Sequence, residues 1–140
     1  MYKLYSGLIG VLIAIMLVFN GVLASNIGNY SSTVIIHIIG LIGISFILIV
    51  NKTKFNYYKD IPLHLYSAGA IGVFTVLFNN ISFNHLGVSL TLALGLLGQS
   101  FASVVIDNYG LLGMEVVKFK KEKVLGLILI SLGIVIMNLY

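Results

Sequence analysis

The sequence predicts an all-α membrane protein of five transmembrane helices, folded as a single domain over residues 1–140. Three observations carry that expectation. Only 9% of the residues are charged and 59% are hydrophobic, whereas an ordinary soluble domain has about 25% charged residues to clothe its surface. Five apolar stretches each reach the ~17 to 25 residues needed to cross a bilayer. All eight basic side chains are lysines, and five crossings place them on one side of the membrane.

The first span is 4–23, a run of Leu, Ile and Val that follows Lys3. The polar, glycine-containing segment 25–32 predicts a loop, and 33–50 the second span. The second loop, 51–62, holds Lys52, Lys54, Lys59 and the single proline. Pro62 suits the start of the third span, 63–83, because its fixed φ and missing N–H cost nothing in a first helical turn. One unbroken helix from 63 to 106 would reach about 64 Å, twice the hydrocarbon thickness. A break is therefore required near Asn84-His85-Leu86-Gly87, which makes 86–106 the fourth span. The segment 107–123 collects Asp107, Glu115, Lys118, Lys120, Lys121, Glu122 and Lys123, and 124–140 forms the fifth span.

Threaded in this way, the N-terminus and the second and fourth loops share one side, with all eight lysines on it and none on the other. The positive-inside rule makes that side cytoplasmic and places Tyr140 outside. The absence of Arg and Trp beside many Ile, Lys, Asn and Tyr residues suggests an AT-rich bacterial genome, hence a multi-pass protein of the bacterial cytoplasmic (inner) membrane. Lys3, the apolar run and Val22-Leu23-Ala24 also have the outline of a signal peptide. Signal h-regions, however, run about 7 to 15 residues, and this run is longer and carries Gly and Asn.

Small residues on one face of a transmembrane helix mark close backbone approach. Gly7, Ala14, Gly21 and Gly28 recur every seven residues, with Gly10 on the same stripe. The third span groups Ala68, Gly72, Thr75, Asn79 and Ser82, the fourth groups Thr91, Gly95, Gly98, Gln99 and Ala102, and the fifth pairs Gly126 with Gly133. Uncharged polar residues also fall within the spans: Asn20, His37, Asn79, Asn80, Thr91, Gln99 and Asn138. Counted from the span ends, Asn20, His37, Asn79 and Thr91 lie in the outer third, and Gln99 lies roughly 20 Å in. The expectation is a polar vestibule open to the outside and floored by Gln99, with Asn20, His37, Asn79 and Gln99 as substrate contacts and Thr91 in support. Hydrogen bonding between helices is the alternative for each uncharged group. His37 is set apart by being ionisable inside the membrane.

Other chemistry is poorly supplied. There is no Cys, which excludes disulfides, thiolate metal sites and cysteine nucleophiles. The histidines at 37, 64 and 85 fall on different spans or loops, so neither a metal site nor a catalytic residue is expected, and no cofactor. The net charge of +4 is explained by topology rather than by nucleic acid. The run 118–123 is also suited to anionic lipid headgroups. Asp107 ends the fourth span and is followed by Gly110 and Gly113. This is expected to be a structural motif, in which a carboxylate accepts backbone N–H groups and the glycines permit left-handed backbone.

Gly98-Gln99, then Ile106-Asp107-Asn108-Tyr109-Gly110-Leu111-Leu112-Gly113, then Leu125-Gly126 and Leu132-Gly133-Ile134 resemble the YdcZ-like branch of the drug/metabolite transporter superfamily. Asn20 with the glycine-bearing loop after it, and Gly40, fit as well. Two positions depart from the branch, Met16 where a Gln is usual and His37 where an aromatic is usual. The resemblance implies a half-transporter bundle of five spans, because larger superfamily members join two inverted five-span repeats. It therefore implies a partner, either an oppositely oriented homologue or a second copy in a parallel homodimer. A four-span multidrug exporter is disfavoured, since the first span has no Asp or Glu. The function expected is transport of a small metabolite or hydrophobic compound and not enzymatic catalysis. The alternative is a non-transporting subunit that stabilises a partner membrane protein.

Overall fold

The computed structural model describes residues 2–53, 61–118 and 122–139, without the side chains of His64, Glu122 and Lys123. Lys54, Lys59, Lys120, Lys121 and Tyr140 lie outside the described residues. All regular structure among the described residues is helical: α1 (Tyr2–Ile27), α2 (Asn29–Val50), a 3₁₀ turn (Leu63–Ser67), α3 (Ala68–Tyr109), a 3₁₀ turn (Leu111–Gly113) and α4 (Glu122–Leu139). Backbone groups in hydrocarbon must be satisfied within their own segment, which is why these apolar stretches are helices. Three stretches, Tyr2–Ile27, Asn29–Val50 and Leu65–Tyr109, are long and apolar enough to cross a membrane, and Val124–Leu139 is a shorter apolar helix.

Burial is inverted relative to a soluble protein. Ser32, Thr33, Asn80 and Thr91 are buried, with Leu17 and Ala24 as the buried hydrophobic residues. Leu4 is 78% exposed, Ile49 75% and Phe101 65%. A water-soluble monomer would not carry so much continuous apolar surface, whereas lipid tails cover it at no cost. Four polar residues, Ser32, Thr33, Asn80 and Thr91, turn inward, where protein groups satisfy what lipid cannot, whereas Gln99 and Asn138 are exposed.

The 42 residues of α3 are not one straight rod, because Gly87 has φ 73° and ψ −174°. This backbone is essentially restricted to glycine, and it falls inside the stretch where bilayer thickness demands a break. The chain divides there into two compact units, Met1–His85 and Leu86–Tyr140.

In the first unit α1 and α2 form a hairpin. The polar segment 25–32, expected as a loop, is almost wholly helical, and Gly28 alone separates the helices with φ 89° and ψ 154°. The reason is local satisfaction of the polar side chains. Ser25 Oγ and Asn26 Nδ2 donate to the Val22 carbonyl at 2.8 and 2.7 Å. Ser32 Oγ and Thr33 Oγ1 donate to the Asn29 carbonyl at 2.9 and 2.7 Å. No solvated loop is needed when one glycine reverses the chain. The buried residues of α1 are Leu17, Gly21 and Ala24, a stripe at the helical spacing of three and four. Gly21 lies against the ring of Phe83, where a Cβ would overlap the ring. Gly7 and Gly10 have open space where a Cβ would project, so the close approach expected along the whole glycine stripe is made near the hairpin end alone.

In the second unit the residues after Gly87 continue as helix to Tyr109, and α4 pairs with them in the opposite sense. Leu86, Leu90 and Leu94 share one groove with Ile134, Val135, Asn138 and Leu139, and Ser100, Ser103 and Val104 share another with Gly126, Leu127 and Ile130. Early residues of one helix thus meet late residues of the other.

Candidate functional site

The first unit brings the polar residues of α2 and α3 together at the hairpin end. Asn80 and Asn84 are one turn apart and Phe83 lies between them, so the three share a face at the i, i+3, i+4 spacing. Asn80 Nδ2 donates to Ser32 Oγ at 3.3 Å, and the Ser32 hydroxyl passes its own hydrogen to the Asn29 carbonyl. Asn84 Nδ2 donates to Asn29 Oδ1 at 3.0 Å. Asn29 thereby gathers bonds from three residues beside Gly28. Interhelical bonds of this kind average about 0.6 kcal/mol in membranes, so each adds modestly to the packing of α2 against α3.

His37 lies one turn along α2 from Thr33. Its Nδ1 is 2.8 Å from the Thr33 carbonyl oxygen. A carbonyl can only accept, so Nδ1 carries a proton in this bond, and in the tautomer protonated at Nδ1 alone Nε2 is an acceptor. The half-buried imidazole borders a groove of about 320 Å³ lined with Thr33, Val34, Ile38, Leu41 and Val73. The wall is aliphatic apart from Thr33 and His37.

The other residues singled out from the sequence divide between the two units. Asn20 and Asn79 are half-buried in the first unit, and neither lines the His37 groove. Thr91 is buried in the second unit, where its Oγ1 donates to the Gly87 carbonyl at 2.7 Å and satisfies a backbone group at the helix break. Gln99, also in the second unit, is exposed. The residue that sequence reasoning passed over is Asn80. It is 1% exposed, and because adjacent helical residues project about 100° apart, it takes the inward face instead of Asn79. The signal available was the Asn80/Asn84 pair one turn apart, matching the Asn29/Ser32 pair on α2.

The Asp107 motif forms a tight return. Gly110 adopts left-handed φ 60° and ψ 35° after the helix ends, and Leu112 follows at φ 61°. Gly113 has φ 78°. The Val117 N–H donates to the Asp107 carbonyl at 2.9 Å and closes the segment. A Cβ on Gly110 would stand 2.7 Å from Val116 Cγ2 and 3.1 Å from the Met114 carbonyl oxygen. Gly110→Val should therefore lower the amount of folded protein recovered from membranes severalfold, since both backbone and space oppose it. Asp107→Asn keeps an acceptor and should be mild. Normal recovery of Gly110→Val, measured by size exclusion in detergent, would show that the return is not needed for folding.

The family model described as "Putative inner membrane exporter, YdcZ" matches residues 1–136 of the chain. No curated protein and no solved structure matches it.

Proposed function

This chain belongs to the YdcZ-like family of the drug/metabolite transporter type, and from that premise we propose that it is a half-transporter moving a small metabolite or hydrophobic compound across the inner membrane. The family match over residues 1–136 carries the reading. Membership establishes a multi-pass inner-membrane protein of a transport family. The finer reading is five spans with the N-terminus cytoplasmic and Tyr140 outside. It is supported by the eight lysines on one side and by the break at Gly87, which lets the long apolar stretch serve as two crossings.

Substrate contact is assigned first to His37, the ionisable side chain on the α2/α3 groove. Asn20 and Asn79 in the same unit, and Gln99 with Thr91 in the second, are further candidates from their depth in the sequence. The chain has no native thiol, so single cysteines at these positions can be scanned cleanly. His37→Cys, Asn79→Cys and Gln99→Cys should react with a membrane-impermeant thiol reagent added from outside. Reporter fusions after Lys59 and Lys123 should read cytoplasmic, and those after Ser31 and Tyr140 external. A cytoplasmic Tyr140 would overturn the five-span arrangement. Failure of all the cysteines to react from either side, together with normal export by the alanine variants, would remove the substrate path.

A second reading, a subunit that stabilises a partner membrane protein, is favoured by the buried Asn80/Ser32 bond, which seals polar groups against each other instead of leaving them to a cavity. It predicts loss of the partner, not loss of export alone, when the coding sequence is deleted.

A further inference from the structure

Resting on the transport reading, we propose that the groove beside His37 takes a small apolar molecule presenting one N–H or O–H donor, and that His37 Nε2 is the acceptor that selects it. The groove measures about 320 Å³, at the lower end of the ~300–1,000 Å³ typical of small-molecule sites. Val34, Ile38, Leu41 and Val73 supply methyl groups to its wall. Thr33 is 5% exposed, and its hydroxyl hydrogen is given to the Asn29 carbonyl. The imidazole ties Nδ1–H back to its own helix at the Thr33 carbonyl, which leaves Nε2 on the opposite edge of the ring. His37 has no second hydrogen bond among the described residues.

The groove therefore combines aliphatic walls with the edge of one imidazole and has no carboxylate in its lining. An acyl chain would cover the methyl groups and leave Nε2 unmet, which is unfavourable in hydrocarbon. A bulky apolar compound with a single donor satisfies both. The absence of an acid from the lining favours a neutral donor over a permanent cation, whose charge would have no counterpart there.

Indole and 1-methylindole form a matched pair of probes, similar in shape and apolar surface and differing in one N–H. Radiolabelled binding to the protein in lipid nanodiscs, with protein-free nanodiscs subtracting partition into lipid, should show indole bound about tenfold more tightly, the difference expected for one hydrogen bond. His37→Leu should abolish the difference, and His37→Gln, which retains an acceptor, should keep part of it. Val73→Phe, which fills the groove, should weaken both probes. With ¹⁵N-histidine, indole should shift the Nε2 resonance of His37 saturably and 1-methylindole should not; replacement of His64 and His85 assigns the signals. Equal binding of the two probes, no binding of either, or selectivity that survives His37→Leu would each overturn the proposal. Export of the same pair from cells separates the two readings. Donor-selective binding without export of any compound, even from cells that co-express a homologue of opposite lysine bias, removes transport and leaves the groove's chemistry standing. Export of other compounds with no donor selectivity at His37 does the reverse.

Discussion

Gly87→Val should reduce the monodisperse protein recovered from membranes by roughly tenfold or more, and Gly28→Val should do the same. Both glycines have extended ψ at positive φ, 73° and −174° for Gly87 and 89° and 154° for Gly28. A side chain in that region costs about 1–3 kcal/mol, and each 1.4 kcal/mol is a factor of ten in an equilibrium. The alternative open to a valine at 87 is also unfavourable. Restoring helical backbone there would straighten the 42 residues of α3 into a rod of about 63 Å, which a ~30 Å hydrocarbon layer cannot cover. Gly95→Val and Gly98→Val are the controls, because both residues are helical and have open space where a Cβ would project. If Gly87→Val gave as much folded protein as these controls, the backbone at 87 would not be constraining the fold.

These two glycines also mark how much of the fold was legible in the sequence. Apolar length and bilayer thickness are enough to require a break near residues 84–87. They do not say that a single residue makes the first reversal, because Ser25, Asn26, Ser32 and Thr33 read as loop formers until their side chains are seen bonded to helical carbonyls. Helix rotation was harder to read than depth. In a soluble helix the apolar stripe identifies the inward face, but here all faces are apolar and lipid covers the outer ones, so polar residues are the remaining guide. Asn79 and Asn80 both qualified, and neighbours in sequence tell the same story about depth. The distinction came from partners distant in the chain, Ser32 and Phe83's seat on Gly21. The groove at His37 was legible in its histidine and not in Val73, which nothing in an apolar run sets apart from its neighbours.

Expressed alone and inserted in one orientation, the chain should export nothing, and co-expression with a homologue of opposite lysine bias should produce export. Lysine asymmetry constrains the symmetry of any assembly. An antiparallel homodimer needs one sequence to insert both ways, which requires a lysine bias near zero, whereas five crossings place all eight lysines of this chain on one side. A parallel homodimer with its axis along the membrane normal, or a complex with an oppositely oriented homologue that rebuilds an inverted repeat, remains. The inverted pair is favoured because transport sites of this architecture lie where the two repeats meet. The surface is also suited to a partner: Gly40, Gly43, Gly72, Gly95, Gly98, Gly126 and Gly133 all have open space above them, and Gln99 is exposed. A lipid tail gains little from a glycine face, but a second helix gains a close approach. Single cysteines introduced at Gly98 and at a glycine of the homologue should crosslink on co-expression, while Gly98→Leu should lower both crosslinking and export without unfolding the chain. Export by the purified chain alone, with all termini facing one way, would rule out the required partner and leave the parallel homodimer or the monomer as the working unit.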